Sequence, residues 1–181
     1  IGLTYDLKTD WTPSANDPID ASAELDSFTT VEALKAAFES AGHSVKLIGN
    51  AKSLLKALPN LGVDLVFNIA EGHHGRNRES QIPAILDLYR IPFVGADALT
   101  LGVTLDKVVA KKCFIADGVP TARYFKATSH DDLKVLNTIG FPLFVKTLHE
   151  GTSKGITADS RVQTPEQLKA QVDRIYSNYN Q

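Results

Sequence analysis

The sequence is poor in several features that mark particular classes of protein. It has one cysteine, Cys113, among 181 residues, which excludes an intrachain disulfide and favours a reducing compartment. It has no run of about 18 apolar residues, the length of a transmembrane helix, and no recognisable signal peptide. Basic residues are not in excess, because the formal net charge is −2. We therefore predict a cytoplasmic protein without a nucleic-acid or membrane partner.

Two common nucleotide-binding motifs are also missing. No G-x-x-x-x-G-K-[ST] occurs anywhere, and no G-x-G-x-x-G follows the first predicted strand, so neither a P-loop nor a dinucleotide-binding turn is expected. The remaining composition, 43% hydrophobic and 22% charged, is ordinary for a globular chain with one large domain or two small ones.

Strand and helix patterns alternate through the first half of the chain. Apolar runs at 1–5, 44–48, 63–69 and 91–94 predict strands, and helical spacing or capping residues, such as Thr29 with Glu32, lie between them. This β-α-β order predicts an α/β fold with an open parallel sheet and right-handed crossovers. The nearly all-apolar run at 63–69 suits a strand that is covered on both faces.

The pattern changes near Gly95, and the rest of the chain predicts a smaller α+β unit with about three strands, few for an independent domain. Cys113 falls in an apolar helical pattern and is predicted to be in the core. Helices are predicted at 79–89, 105–117, 129–136 and from Thr164 to about Tyr176, and strands at 121–126, 141–147 and 155–158.

A polar loop follows the apolar strand at 63–69, at the sheet edge where open α/β folds bind ligands. The alternative is a solvated surface loop without a ligand. Its tandem histidines are a weak metal signal, since no cysteine joins them and a metal usually takes three or four protein ligands, so we assign no metal-ligating residue. The loop carries Glu71, His73, His74, Arg76, Arg78 and Glu79.

Two further stretches offer cations to an anion. Lys107 lies in the first turn of a predicted helix, where the helix dipole disfavours a cation without an anion nearby. Lys146 lies in an apolar strand, where an unpaired ammonium is costly to desolvate. The loop at 150–155 adds backbone N–H groups, hydroxyls and a second cation, which suits a polyphosphate. The plainer alternatives are an exposed surface lysine at 107 and a simple hairpin turn at 150–155.

Together these stretches resemble the D-alanine–D-alanine ligase family within the ATP-grasp superfamily. The resemblance implies a pre-ATP-grasp, Rossmann-like substrate domain at 1–95 and a first ATP-grasp subdomain at 96–181 that is apparently truncated. It is specific for ATP-grasp ligases and less so for D-alanine as the substrate. The matching segments are 93–95, 105–111, 117–121, 141–146 and 150–156, and their order and spacing agree from Ile1 to about Ile175.

The resemblance also implies roles for individual residues. Lys107 and Lys146 correspond to lysines that contact ATP phosphates, and the loop opened by Glu150 would close over them. A carboxylate that orients this loop and receives the substrate ammonium is matched by Glu24 or Asp26, and a histidine near the first substrate is matched by His73 or His74. The implied set is Glu24, Asp26, His73 and Ser153 for catalysis, and Lys107, Lys146, Glu150, Gly151, Thr152, Ser153 and Lys154 for ATP.

The activity that the resemblance implies is ATP-dependent peptide-bond formation between small amino-acid substrates through an acyl phosphate, as part of peptidoglycan biosynthesis. The cofactors would be ATP and Mg²⁺, and the metal ligands are expected beyond Gln181. A homodimer is a possible assembly. The 181-residue chain itself is expected to be inactive. Because the segment 71–79 departs from the family pattern, two alternatives stay open. These are a ligase with another amino or hydroxy acid as substrate, and a non-catalytic ligand-binding module.

Overall fold

The computed structural model describes residues 1–127 and 140–181, so the helix predicted at 129–136 lies outside the described residues. The chain divides into two compact units. The separate roles predicted for residues 1–95 and 96–181 stay predictions. The first unit comprises Ile1–Thr12 and Glu24–Leu105, and the second comprises Pro13–Ala23 and Asp106–Gln181.

A parallel four-stranded sheet forms the centre of the first unit, as predicted. Its order is β2-β1-β3-β4, so the two central strands are β1 and β3. The hydrogen-bonded strands are shorter than the apolar runs, because residues such as Val63 pack against the core without pairing in the ladder. The strands are β1 (Gly2–Thr4), β2 (Lys46–Gly49), β3 (Val66–Asn68) and β4 (Phe93–Val94).

The described part of the first unit contains four α-helices: α1 (Phe28–Ser40), α2 (Ala51–Ala57), α3 (Gln81–Leu88) and α4 (Ala98–Leu105). The capping residue predicted for α1 was wrong. Ser27, and not Thr29, caps the helix, since the Ser27 side chain accepts the Thr30 N–H. A 3-10 turn, Arg78–Ser80, leads into α3. The helix α4 was not predicted.

Both faces of β3 are covered, which explains its apolar sequence. Successive side chains of a strand point to opposite faces. Val66 therefore belongs to a core with side chains of α2 and α3, whereas the Phe67 ring meets that of Phe38 from α1 edge-on, with the ring centroids 5.1 Å apart. The buried members of the core are Leu54, Leu61, Val66, Ala70, Ile82 and Leu86.

The second unit contains α5 (Lys107–Ala116), α6 (Pro165–Tyr179) and an antiparallel pair of two-residue strands, β5 (Leu143–Phe144) and β6 (Arg161–Val162). The start of α6 is as predicted, with the Thr164 side chain accepting the Gln167 N–H and Pro165 in the first turn. Val162 and Leu168 form the buried centre, against which Leu143 and Val145 pack.

Three predictions for this unit were wrong. The strands predicted at 121–126 and 155–158 are absent from the described residues, and near 155–158 a 3-10 turn, Ala158–Ser160, forms instead. Cys113 is exposed, because Ala110 is the buried residue of α5. The helix predicted at 105–117 is confirmed as α5, and the Asp106 carboxylate caps it by accepting two backbone N–H groups. Among the described residues, no helix has the length and apolarity needed to cross a bilayer.

Candidate functional site

The carboxyl ends of the two central strands, β1 and β3, bring polar residues together in the first unit. Asp6 follows β1, and the loop 71–79 follows β3 as predicted. The Gly72 N–H donates to Asp6 Oδ2 over 2.8 Å, which ties the two strand ends together. In open parallel sheets this edge is where ligands bind, so the residues here are the candidate substrate site.

The loop turns back on itself at Gly72, which has a φ of +74°. A Cβ at this position would lie 2.6 Å from the carbonyl oxygen of Arg78 and 2.9 Å from its carbonyl carbon. Both the positive φ and the contact with backbone atoms exclude a side chain. A glycine is therefore required for the loop to bring Arg78 back towards the strand ends.

Arg78 and Glu24 form a buried ion pair. Arg78 Nη2 donates to both carboxylate oxygens of Glu24, over 2.8 and 3.0 Å, and the two side chains are only 5% and 4% exposed. Glu24, which the family resemblance implies as a receiver of a substrate ammonium, is thus engaged by a cation of its own chain. Its predicted catalytic role stays a prediction.

Two more carboxylates lie beside this pair. Oxygen atoms of Glu24, Glu71 and Glu79 all lie within 4.8 Å of one another. Burial, followed by the charges of Glu79 and Glu24, raises the pKa of Glu71 from its ordinary value of 4.5 to about 7, and Arg78 acts in the opposite direction. This acid cluster (Glu24, Glu71 and Glu79) therefore binds a proton in part of its population at neutral pH. We assign no metal to it, because Arg78 already holds both Glu24 oxygens.

Replacing Glu71 by glutamine is expected to change how stability depends on pH. Between pH 4.5 and 7 the folded wild-type protein binds more protons than the unfolded chain, so its stability falls as the pH rises through this window. The glutamine side chain has no such proton to lose, so E71Q gains stability over wild type from pH 5 to pH 8, by about 1 kcal/mol after allowance for partial exposure.

Urea unfolding of both proteins at pH 5 and pH 8 measures this difference. The matched control is Glu32→Gln on the exposed surface of α1, which should show no such gain. An equal stability difference between E71Q and wild type at the two pH values would contradict the raised pKa.

A second group at this edge involves Asp6, His73 and Trp11. His73 Nε2 lies 2.8 Å from Asp6 Oδ1, and the Asp6 side chain is only 2% exposed. The Trp11 and His73 rings are stacked, with centroids 5.8 Å apart and planes 9° apart, whereas His74 is exposed. Asp26 donates its N–H to the Asp6 carbonyl oxygen, and burial and the Asp6 charge raise the pKa of its carboxyl group.

The sequence analysis did not name Asp6 and Trp11 as candidate site residues. Asp6 could have been found, because it follows β1 at the same edge as the loop after β3. Nothing in the local sequence around Trp11 predicts that its ring stacks on His73. The alternatives Glu24 and Asp26 both lie in this part of the first unit, but only Glu24 joins the acid cluster.

In the second unit, the predicted ATP loop brings several of its residues together around Glu150. Lys107 Nζ donates to the Glu150 carbonyl oxygen over 2.6 Å, and Lys154 Nζ lies 2.5 Å from Glu150 Oε2. The Glu150 and Lys154 side chains are 13% and 10% exposed. The two lysines therefore meet at the same glutamate.

The tip of this loop, Thr152 and Ser153, is exposed and has an unusual backbone. The φ angles are +44° and +60°, in the left-handed region that a β-branched residue such as Thr152 avoids. Such conformations cluster at ligand-binding and catalytic sites. Beyond the tip, the Gly155 N–H donates to Asp20 Oδ2 over 2.8 Å, which anchors the end of the loop.

Lys146 does not lie in a buried strand, and the prediction of a desolvated lysine was wrong. β5 ends at Phe144, and the alternation of its side chains leaves Phe144 and Lys146 on the exposed side while Leu143 and Val145 face the core. Lys146 Nζ lies 5.4 Å from the centroid of the Phe144 ring, a cation–π contact. Its ammonium group is thus accessible to an anion.

No family model matches the chain. Among curated proteins it is 31% identical over 135 residues to the D-alanine–D-alanine ligase of Xylella fastidiosa, covering 72% of this chain and 43% of that protein. It is 33% identical over 162 residues to the uncharacterised protein y4sG of Sinorhizobium fredii, covering 83% and 46%. The chain thus spans less than half the length of these curated relatives.

Solved structures share the fold. The D-alanine–D-alanine ligase of Bacillus anthracis matches 97% of this chain with 53% of its own, with a TM-score of 0.69 and 20% identity, and a second structure of it contains ATP. The VanG D-Ala:D-Ser ligase of Enterococcus faecalis matches 97% of this chain with 59% of its own, with a TM-score of 0.62 and 19% identity. Sequence identity and fold therefore relate the chain to the D-alanine–D-alanine ligase family, over about half the length of these proteins.

Proposed function

We propose that this chain is part of an ATP-grasp carboxylate–amine ligase of the D-alanine–D-alanine ligase type. The observation that carries the proposal is the group of cations around the loop 150–154, because Lys107 and Lys154 meet at Glu150 and the loop tip is exposed. Two ammonium groups that contact the same residue, together with a short loop of small residues, suit the charge of a polyphosphate. The relationship to ligases supports the same interpretation.

ATP would be held by residues of the second unit. Lys107, Lys146 and Lys154 would offset the charge of its phosphates, and the backbone N–H groups of the loop tip would bind phosphate oxygens. When bound, ATP supplies a phosphoryl group. For Mg²⁺, the three-carboxylate group found among the described residues is the acid cluster of the first unit, which we do not assign to metal. We therefore expect its ligands outside the described residues.

The amino-acid substrates would lie at the sheet edge of the first unit. The acid cluster offers negative charge to a substrate ammonium, and His73 adds a polar side chain beside it. In the proposed reaction a substrate carboxylate oxygen bonds to the γ-phosphorus, with ADP as the leaving group. The amine of a second amino acid then forms the peptide bond, releasing phosphate and a proton.

The identity of the first substrate is a separate question from the ligase chemistry, and a ligase with another amino or hydroxy acid as substrate stays an alternative. Glu24 is held by Arg78 at the position where the resemblance implies a contact with the substrate ammonium. A non-catalytic binding module is the second candidate. We propose a cytoplasmic location, a role in peptidoglycan synthesis and a homodimer only as consequences of the ligase assignment.

Removing Lys107 is expected to weaken binding of ATP by about one to two orders of magnitude, because a charge-assisted hydrogen bond contributes roughly 1.5–3 kcal/mol. Calorimetric titration with ATP and Mg²⁺ measures the change for Lys107→Ala, and Lys146→Ala should act in the same direction. Binding to the 181-residue chain should be weak and should weaken further with salt, since lysines recognise phosphate chiefly as charge.

The matched control is Lys169→Ala, since Lys169 lies on α6 in an exposed pair with Asp173. If Lys107→Ala and Lys169→Ala bind ATP with equal affinity, the phosphate site is not at this loop. An ADP-release assay with D-alanine and with other amino or hydroxy acids, run on the longest natural form of the protein, separates a ligase from a binding module.

A further inference from the structure

His73 contacts two other side chains of the first unit, those of Asp6 and Trp11. Its Nε2 atom lies 2.8 Å from a carboxylate oxygen of Asp6, and its ring is stacked on that of Trp11. The preceding residue, Gly72, is fixed by its own hydrogen bond to the same carboxylate. The side chain is nevertheless 22% exposed, so part of the ring is open to a ligand.

Besides His73, the Asp6 carboxylate has one hydrogen-bond donor among the described residues, the Gly72 N–H. Its Oδ2 atom accepts the Gly72 N–H, whereas Oδ1 is buried and accepts no aligned hydrogen bond from the described residues. The 2.8 Å contact with His73 Nε2 is close but not well aligned. Because a carboxylate that is 2% exposed is costly to leave unpaired, a proton on Nε2 is strongly favoured.

We propose that Asp6 is a positioning residue for His73, holding the ring proton on Nε2 and leaving Nδ1 as a hydrogen-bond acceptor for an N–H or O–H group of the substrate. Nδ1 has no hydrogen-bond partner among the described residues. The identification of the ligand as an amino or hydroxy acid rests on the proposed function, but the assignment of the proton does not.

The substitution Asp6→Asn tests the assignment, because the Gly72 N–H constrains the new amide. This N–H needs an acceptor, so the oxygen of the introduced amide should stay with Gly72 and its NH₂ group should face His73 Nε2. Nε2 must then accept, and the proton moves to Nδ1. Asp6→Asn is therefore expected to reverse the tautomer of His73. If Asp6 served only to pack against the ring, the variant would show a mixture of the Nδ1–H and Nε2–H tautomers.

Nitrogen-15 NMR of histidine-labelled protein reads the tautomer without any substrate. Spectra are recorded at about pH 9, well above the ordinary histidine pKa of about 6.5, and His73→Gln assigns the signal among the five histidines. The expected result is an Nε2–H tautomer in the wild-type chain, an Nδ1–H tautomer in D6N, and no change in Asp10→Asn, whose carboxylate is exposed on the same segment.

A wild-type Nδ1 that carries the proton under these conditions overturns the proposal, even if D6N does not fold. An unchanged tautomer in a folded D6N also overturns it. The His73 tautomers of the wild-type chain and of D6N are measured without ATP or substrate. A failure to bind ATP would therefore contradict the proposed function and leave this inference untouched.

Discussion

Replacing Arg78 by leucine is expected to lower the free energy of unfolding by about 3–5 kcal/mol. The substitution removes the guanidinium that donates to both Glu24 oxygens, and the Glu24 side chain is only 4% exposed. The Glu24 carboxylate would then lie beside Glu71 and Glu79 without the Arg78 guanidinium. A buried charge beside two like charges is among the most costly changes that a core can undergo.

Urea unfolding of Arg78→Leu at neutral pH measures this loss. Lys169→Leu is the matched control, because it breaks the exposed Lys169–Asp173 pair and should cost no more than about 0.5 kcal/mol. The double variant Arg78→Leu/Glu24→Leu should recover much of the lost stability, since it removes both charges. A cost for Arg78→Leu no larger than that of the control would contradict the buried pair.

Replacing Gly72 by alanine is expected to destabilise the first unit by about 2–5 kcal/mol, the sum of two effects. A positive φ costs a residue with a Cβ about 1–2 kcal/mol. The new methyl group would also lie 2.6 Å from the carbonyl oxygen of Arg78, and overpacking adds about 1–3 kcal/mol. Because the obstacle is backbone, it cannot be relieved by rotating a side chain.

Thermal unfolding of Gly72→Ala can be compared directly with that of Gly42→Ala. Gly42 also has a positive φ, of +88°, but apart from its two chain neighbours none of the described residues places an atom within 4 Å of the position that its new methyl group would take. Gly42→Ala therefore reports the conformational cost alone, and Gly72→Ala should lower the melting temperature clearly more. Equal shifts would mean that the loop relaxes away from residue 78.

The sequence predicted the parallel sheet because the signal is local. Apolar runs such as 63–69 and the helices between them determine a β-α-β order, and that order restricts the topology. The position of the loop 71–79 at the carboxyl edge follows from the same rule. The ends of the elements were less accurate, since apolar residues such as Val63 pack against the core without joining the ladder.

The pairings within the site could not be predicted, because each depends on residues far apart in the chain. Glu24 and Arg78 are separated by 54 positions, and either could have faced solvent. The protonation of Glu71 depends on carboxylates that the fold brings beside it. Lys146 was misjudged for a different reason. An apolar neighbour such as Phe144 indicated burial, whereas Phe144 is exposed in a two-residue strand and Lys146, beyond the end of that strand, is exposed as well.

The second unit is not a contiguous piece of chain, since Pro13–Ala23 belongs to it. From this segment Asp20 accepts both the Gly155 N–H and the Tyr179 hydroxyl, across 135 and 159 positions of sequence. Closing loops of this length is entropically costly and tends to come late in folding. A shortened gene product that starts at Asp106 would therefore leave Gly155 and Tyr179 without this acceptor. Deletion endpoints for either unit should be chosen with residues 13–23 retained or supplied as a separate peptide.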